Sequence, residues 1–174
     1  EPTAPAWTLD FGFLVGPVES AEHWLEVAEV GRSFLSIILS PALPGPHGIG
    51  DFGPDAYRFV DWLQSAGQRI WQWLPTNPIG PGNSPYQSVS AFAGSPLMVA
   101  LEPLVDSGWL DAPTLPAGGF DPLRVDFGKV LTWRQAQLRA AHAGFLAKHD
   151  PSEQAAFAHY REAQAHWLGD YALF

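Results

Sequence analysis

The chain contains no cysteine, and basic residues are scarce, with 9 Lys and Arg against 18 Asp and Glu and a net charge of −9. The lack of cysteine excludes disulfides, thiolate catalysis and cysteine-based metal sites. Because nucleic-acid binding depends on cationic surface, we expect no nucleic-acid partner. No apolar run approaches the roughly 20 residues of a membrane span, and residues 1–20 lack a signal-peptide pattern. We therefore expect no membrane partner and a cytoplasmic location.

What the chain does contain favours a globular protein. Of its 174 residues, 47% are hydrophobic and 16% are charged, which excludes a disordered chain. Its 17 Gly and 17 Pro predict many turns and structured loops. The 8 Trp have two interpretations, core packing and stacking on flat ligands, and core packing is the default for most of them.

A strand, a helix and a second strand follow one another near the start of the chain. Residues 34–39 and 70–74 are short apolar runs typical of buried strands. Between them, Pro54 predicts the first turn of a helix that Gly67 ends. This order predicts parallel strands with both faces covered, as in an α/β barrel or a doubly wound sheet. Ligands bind at the carboxyl ends of such strands, here the loops that begin at Ser40 and Pro75.

The remaining segments predict loops and helices. We expect a linker or the tail of a preceding module over residues 1–31, with a short helix capped by Ser20. Residues 76–96 lack periodicity and predict a functional loop. Further predictions are a strand at 97–101, a helical turn at 103–107, a loop at 111–128, a helix from Thr132 to Lys148, and a final helix that starts at Asp150 and runs to Phe174. Because that helix ends without a stop signal, we expect a truncated chain. The start at Glu1 rather than Met predicts a processed, engineered or truncated beginning.

Several kinds of site find little support. The segment 48–53 matches the dinucleotide pattern G-x-G-x-x-G by letters, but the strand-to-glycine turn is long and the ribose-binding acid is missing. The pairs His142 and His149, and His159 and His166, are seven residues apart, about two helical turns, which is too far for one zinc ion. No G-x-S-x-G elbow surrounds a serine. We therefore expect neither a metal nor another cofactor.

The acidic residues of the loops do not form a recognisable catalytic pair. Glycoside chemistry requires two carboxyl groups that flank a pocket. Asp51, Asp121 and Asp126 lie in predicted loops, and nothing in the sequence pairs them, so turn formation and helix capping are their default roles.

The loop Gly80 to Ser88 offers chemistry that suits a sugar. Tyr86 follows Pro85 within a segment of neutral amides and hydroxyls, including Ser84. A flat aromatic face suits the C–H groups of a sugar ring, and uncharged donors and acceptors suit its hydroxyls. A structured turn with Tyr86 directed inward is an equally good interpretation of the residues alone.

Several ordered blocks resemble the amylomaltase family of 4-α-glucanotransferases over residues 32–174. The blocks are Leu43-Pro44-Gly45-Pro46-His47-Gly48-Ile49-Gly50-Asp51, Trp71-Gln72-Trp73-Leu74-Pro75, Asn83 to Pro96, Val125-Asp126-Phe127-Gly128, and His166 to Phe174. Together, in the same order, they are more specific than any single motif.

The resemblance implies an N-terminal part of a (β/α)₈ TIM barrel with an inserted, loop-rich helical subdomain. It implies a first βαβ unit at 32–76 and a groove-forming subdomain at 77–174. The implied activity is that of a transferase, moving α-1,4-glucan segments between maltooligosaccharides or starch-like glucans with retention. The implied acids are an Asp nucleophile, a Glu acid–base and a further Asp that steadies the distorted sugar. The family's three acids lie in later strands, so we expect no catalytic residue in this chain. A non-catalytic α-glucan-binding module is the alternative.

The resemblance also implies particular substrate-binding residues. Tyr86 matches the tyrosine that stacks beside the sugar at the cleavage point, and Ser84 matches a neighbouring position in the groove. Phe127 matches an aromatic residue of an outlying glucan site, but it lacks the hydroxyl that the family often has there. Pro81 replaces that site's other aromatic residue, so the outlying site is in doubt.

Overall fold

The computed structural model describes residues 8–10, 13–15, 35–37, 43, 45–68, 70–113, 119–121 and 123–173. These residues contain the strands β1 Thr8–Asp10, β2 Phe13–Val15, β3 Leu35–Ile37 and β4 Ile70–Gln72. They also contain the helices α1 Pro54–Ser65, α2 Glu102–Asp106, α3 Phe127–Lys148, α4 Pro151–Ala163 and α5 Ala165–Leu173. Three 3₁₀ turns, Pro81–Asn83, Pro85–Gln87 and Pro96–Met98, lie between β4 and α2.

The unit β3–α1–β4 has the predicted arrangement. β3 pairs with β4 in parallel, with Leu35 opposite Ile70 and Ile37 opposite Gln72. Two parallel strands need a crossover connection, and helix α1 lies within it. The predictions of two strands, the helix and their parallel pairing are confirmed.

Residues 8–10 and 13–15, which lie in the segment expected to be a linker or the tail of a preceding module, form strands. β1 and β2 pair as an antiparallel hairpin, and β2 pairs with the free edge of β4, giving the sheet order β1–β2–β4–β3. The strands are only three residues long, too short for the alternation that identifies a strand in a sequence. The predicted helix that Ser20 caps lies outside the described residues.

Helix α1 covers the first core. Pro54 occupies its first turn, and Gly67, at φ +73°, follows its end. The buried positions Ala56, Val60 and Leu63 follow helical spacing. They pack with the remaining members of this core, Leu43, Phe59, Trp71 and Trp73. Core packing, the default interpretation for tryptophan, therefore holds for the two Trp of the second strand region.

The strand predicted at 97–101 is wrong. Ser95 accepts a hydrogen bond from the amide of Leu97 at 3.3 Å and caps the 3₁₀ turn Pro96–Met98. Leu97 and Leu101 are fully buried, but Val99, which would share their face in a strand, is 38% exposed, so the segment lacks strand alternation. The predicted turn at 103–107 is confirmed as α2, Glu102–Asp106.

Helix α3 begins earlier than predicted. Asp126 accepts a hydrogen bond from the amide of Lys129 at 3.0 Å, so it caps the helix instead of Thr132. Thr132 lies inside the helix and donates to the carbonyl oxygen of Gly128. The Phe-Gly pair after the cap has weak helix propensity, which hides this start in the sequence.

The last predicted helix is divided in two. Asp150 accepts from the amides of Ser152 and Glu153 and caps α4 as predicted. Helix α4 ends at Ala163, Gln164 follows it, and α5 begins at Ala165. Among the described helices, none is both long and apolar enough to cross a membrane.

Two further clusters hold the loops and helices together. A second core contains the buried residues Ile49, Leu97 and Val130. A third contains Leu101, Leu110 and Ala141. Helix α3 contributes to both cores through Val130 and Ala141, so it links the segment after β4 to the loop before α1.

Candidate functional site

The loop at residues 76–98, which contains the functional loop predicted at 76–96, is a chain of short turns fixed at its base. The amide of Ser95 donates to the carbonyl of Thr76 at 2.7 Å, and the side-chain amide of Asn77 donates to the carbonyl of Ala93 at 3.1 Å. These two bonds join the ends of the loop. The loop therefore has a defined conformation although it has little periodic structure.

The tip of the 76–98 loop is closely packed. The amide of Gly80 donates to the carbonyl of Ser84 at 2.9 Å. A Cβ atom on Gly80 would lie 1.9 Å from the carbonyl oxygen of Gln87, which real side chains do not tolerate. Gly80 therefore permits the two turns Pro81–Asn83 and Pro85–Gln87 to fold against each other.

Tyr86 is presented outward by this tip. Ser84 Oγ accepts a hydrogen bond from the amide of Tyr86 at 3.3 Å and caps its turn, and Pro85 fixes φ at the first position. The Tyr86 side chain is 71% exposed. Of the two interpretations of this ring, the inward-directed one is wrong, because the ring faces solvent on a capped turn.

Phe92 connects the same loop to the last helix. Its ring stacks on Trp167 with centroids 6.0 Å apart, and it meets His166 edge to face at 5.5 Å. Phe92 is still 64% exposed, as is Val89. The loop therefore carries an open apolar surface beside Tyr86.

The third predicted binding residue, Phe127, has different surroundings. It is partly buried and packs against the second core, together with Ile79 at the start of the loop. The structure thus brings Ser84 and Tyr86 together on one turn and places Phe127 at the first position of α3. Pro81 begins the turn next to Ser84 and supplies no aromatic ring.

A buried polar cluster, which sequence reasoning missed, joins four side chains: His47, Asp51, Glu102 and Arg134. Arg134 is fully buried and donates to Asp51 Oδ2 and to the carbonyl of Val99, each at 2.5 Å. Asp51 therefore has a distant partner that the sequence does not reveal, and it also forms the expected turn, because its Oδ1 accepts from the amide of Gly53 at 2.9 Å. Arg134 lies on α3, far along the sequence, and no local pattern signals the contact.

The other two members of the cluster, His47 and Glu102, lie next to each other and to Asp51. His47 Nδ1 lies 3.7 Å from Glu102 Oε1, and the imidazole stacks on Trp133 with centroids 5.5 Å apart. Burial lowers the pKa of His47, and Glu102 opposes this. Burial raises the pKa of Asp51, and the Arg134 guanidinium opposes this. Within the described part of the chain, His47, Asp51 and Glu102 form a group whose ligand atoms lie within 4.8 Å of one another.

The default roles hold for the other two loop acids. Asp121 Oδ1 accepts from the amide of Leu123 at 2.8 Å, which forms a turn, and Asp126 caps α3.

A cavity of about 450 Å³ beside α3 is a less suitable sugar site. Its walls include Trp109, Phe145 and Phe157, which supply apolar surface. Its carboxylate, Glu153, is already engaged by Trp109 Nε1 at 3.0 Å and Lys148 Nζ at 3.1 Å. A sugar there would find few free polar groups for its hydroxyls.

Residues 39–174 match the family described as 4-alpha-glucanotransferase. The chain belongs to the 4-alpha-glucanotransferase family. The family resemblance expected from the ordered blocks is thereby confirmed. The matched range contains the 76–98 loop, the buried polar cluster and the five helices of the described residues.

Relatives and a solved structure agree with this assignment. The chain is 45% identical over 148 residues to a 4-alpha-glucanotransferase of Thermus thermophilus, covering 84% of this chain and 29% of that protein. It is 40% identical over 140 residues to one of Synechocystis, covering 79% and 28%. An amylomaltase from Streptococcus agalactiae, solved with acarbose, superposes with a TM-score of 0.72 at 31% identity, covering 81% of this chain and 28% of that one. The chain thus spans less than a third of the length of these family members.

Proposed function

We propose that this chain is part of an amylomaltase-type 4-α-glucanotransferase and forms one wall of its glucan groove, centred on Tyr86. The parent activity would move α-1,4-glucan segments between maltooligosaccharides. Family membership supports the reaction, and the acarbose complex of the related amylomaltase supports an α-glucan ligand. The observation that carries the location is the exposed Tyr86 ring on a capped, closely packed turn.

The preformed turn suits carbohydrate binding for an energetic reason. A binding surface that is already ordered loses little conformational entropy when the ligand arrives. Tyr86 supplies a flat face for the sugar ring, and Ser84 lies beside it with a hydroxyl. Phe92 and Val89 extend the apolar surface along the loop. We propose Ser84 and Tyr86 as substrate-binding residues.

Phe127 fits an outlying glucan site less well than the resemblance implies. Its ring is partly buried in the second core, so only part of it can meet a ligand. With Pro81 in place of a second ring, we propose that any contribution of Phe127 to glucan binding is minor.

The catalytic acids are proposed to lie outside the described residues. Retaining enzymes need two carboxyl groups about 5 Å apart on either side of the scissile bond. Asp51 and Glu102 are near each other, but Asp51 is only 8% exposed and bound to Arg134. It is therefore unable to act as a nucleophile toward an oligosaccharide.

We also propose that the chain forms part of a (β/α)₈ barrel. The parallel pair β3 and β4 with α1 as crossover matches one unit of a (β/α)₈ barrel. In a closed barrel β4 has a parallel neighbour on each side. The edge of β4 that β2 covers is where that second neighbour would pair, so we propose that the hairpin leaves this edge in a complete barrel.

Titration of the chain with maltoheptaose tests the proposal. Tyr86→Ala should weaken binding about tenfold, because an aromatic contact contributes up to about 1.5 kcal/mol. Tyr86→Phe should bind nearly as well as the unaltered chain. Tyr57→Ala is the matched control, since Tyr57 is also 71% exposed but lies on α1.

Two outcomes would contradict the proposal. One is the absence of maltoheptaose binding by the unaltered chain, and the other is equal weakening by Tyr86→Ala and Tyr57→Ala. In the same samples maltotriose should remain unconverted. The appearance of longer and shorter products would contradict the proposal that the catalytic acids lie outside the described residues. Glucan binding without conversion agrees equally with the alternative, a non-catalytic glucan-binding module.

A further inference from the structure

The buried polar cluster contains more hydrogen-bonding capacity than its neighbours satisfy. Among the described residues of this cluster, His47 Nδ1, Glu102 Oε2 and Arg134 Nε are buried atoms without a hydrogen-bond partner. His47 is only 7% exposed. Buried polar atoms are nearly always paired, so an unpaired nitrogen facing a carboxylate indicates that something else binds there.

We propose that His47, Asp51 and Glu102 form a binding site for one zinc ion. An imidazole nitrogen and two carboxylate oxygens are ordinary zinc ligands. Two ligand atoms about 2.1 Å from one ion lie at most about 4.2 Å apart. His47 Nδ1 and Glu102 Oε1 already meet this limit at 3.7 Å, and all three ligand atoms lie within 4.8 Å, so small side-chain rotations complete the site.

The surroundings of the three ligands favour this assignment. Metal-binding carboxylates are typically held by hydrogen bonds from outer groups. Asp51 has two such bonds, from the amide of Gly53 at 2.9 Å and from Arg134. Each carboxylate oxygen has two lone pairs, so these bonds leave Asp51 able to bind an ion. Stacking on Trp133 holds the His47 ring in place.

The charge of the buried polar cluster and its access to solvent also favour a bound cation. Asp51 and Glu102 together carry one more negative charge than Arg134 neutralises, and a poorly compensated charge in a buried site is unfavourable. A divalent cation supplies positive charge there. The Glu102 side chain is 34% exposed, which gives an ion a route from solvent. The ion would tie the loop before α1 to α2 and, through Arg134, to α3.

Isothermal titration of the chelator-treated chain with Zn²⁺ tests this site. We expect one tight equivalent and a higher Tm with Zn²⁺ present. Glu102→Gln, which keeps the side-chain shape, should weaken that equivalent by about tenfold or more. Asp106→Asn is the matched control, because Asp106 is exposed on the same helix and is not among the three clustered ligands.

A second variant is used if Glu102→Gln does not fold. If Glu102→Gln loses the circular dichroism of the unaltered chain, His47→Gln replaces it, with the same loss of Zn²⁺ binding expected. Co²⁺ reports on the ligands directly. Bound at this site it should give visible d–d absorption, and added Zn²⁺ should abolish that absorption by displacing the Co²⁺. The site is overturned if no tight equivalent binds. It is equally overturned if binding persists unchanged in the folded variant, since ions would then occupy surface histidines only.

Discussion

Arg134 is the residue on which the buried polar cluster depends. Its guanidinium is fully buried and satisfies both Asp51 and the carbonyl of Val99. Burying charged groups costs free energy, and the geometry of this pair offsets the cost only while both partners are present. Removing one partner leaves the other charge buried and uncompensated.

Arg134→Ala should therefore lower the free energy of unfolding by roughly 3–5 kcal/mol. Urea denaturation monitored by tryptophan fluorescence would measure it. Arg139→Ala is the control, because Arg139 is exposed on the same helix, and its effect should stay within about 0.5 kcal/mol. Equal destabilisation by the two variants would show that helix α3, rather than the Arg134–Asp51 pair, determines the loss.

At the scale of elements, the 76–98 loop holds its form through backbone contacts. Gly80 has φ −93° and ψ −163°, a conformation that alanine can adopt, so only space requires glycine there. An added Cβ would meet the carbonyl of Gln87 at 1.9 Å. At Gly94, in the same loop, an added Cβ meets nothing within 4 Å.

Gly80→Ala should therefore separate the two turns at the loop tip, whereas Gly94→Ala should leave them unchanged. The expected result is weaker maltoheptaose binding in Gly80→Ala with the overall fold retained, measured by calorimetry and circular dichroism. If the two variants bind alike, close packing of the tip is not what positions Tyr86.

Sequence patterns predicted elements well where a local signal exists. Pro54, Gly67 and Asp150 mark element ends through their own backbone or side-chain chemistry, and all three predictions are confirmed. The strand predicted at 97–101 failed because an apolar run alone does not distinguish a strand from a turn. Ser95 caps the 3₁₀ turn Pro96–Met98, and the segment buries Leu97 while leaving Val99 exposed.

The candidate site also contains one part that neighbouring residues predict and one part that depends on contacts distant in sequence. The exposed position of Tyr86 depends on Pro85 and the cap of Ser84, which are adjacent in sequence. The buried polar cluster joins segments that lie far apart in the chain, and neither His47 nor Arg134 carries a pattern that identifies its partner. Such contacts become visible only when α3 packs across the segments before α1 and after β4.

At the scale of the whole molecule, two surfaces of the described residues adjoin: the 76–98 loop and the layer formed by helices α4 and α5. Helices α4 and α5 contain no buried residue among those described, although they carry Tyr160, Trp167 and Leu173. The 76–98 loop docks on α5 through Phe92, so the proposed glucan wall and this helical layer are joined. A ligand bound at Tyr86 should therefore affect the loop and the adjoining face of α5.

The most direct measurement of the central claim is an NMR titration of the ¹⁵N-labelled chain with maltoheptaose. The account predicts that the largest amide shifts fall in residues 80–92, with smaller changes near Trp167 and none at Tyr57. Shifts concentrated around the cavity at Trp109 and Phe157, or no saturable shifts at all, would contradict the claim that this chain forms a glucan-binding wall at Tyr86.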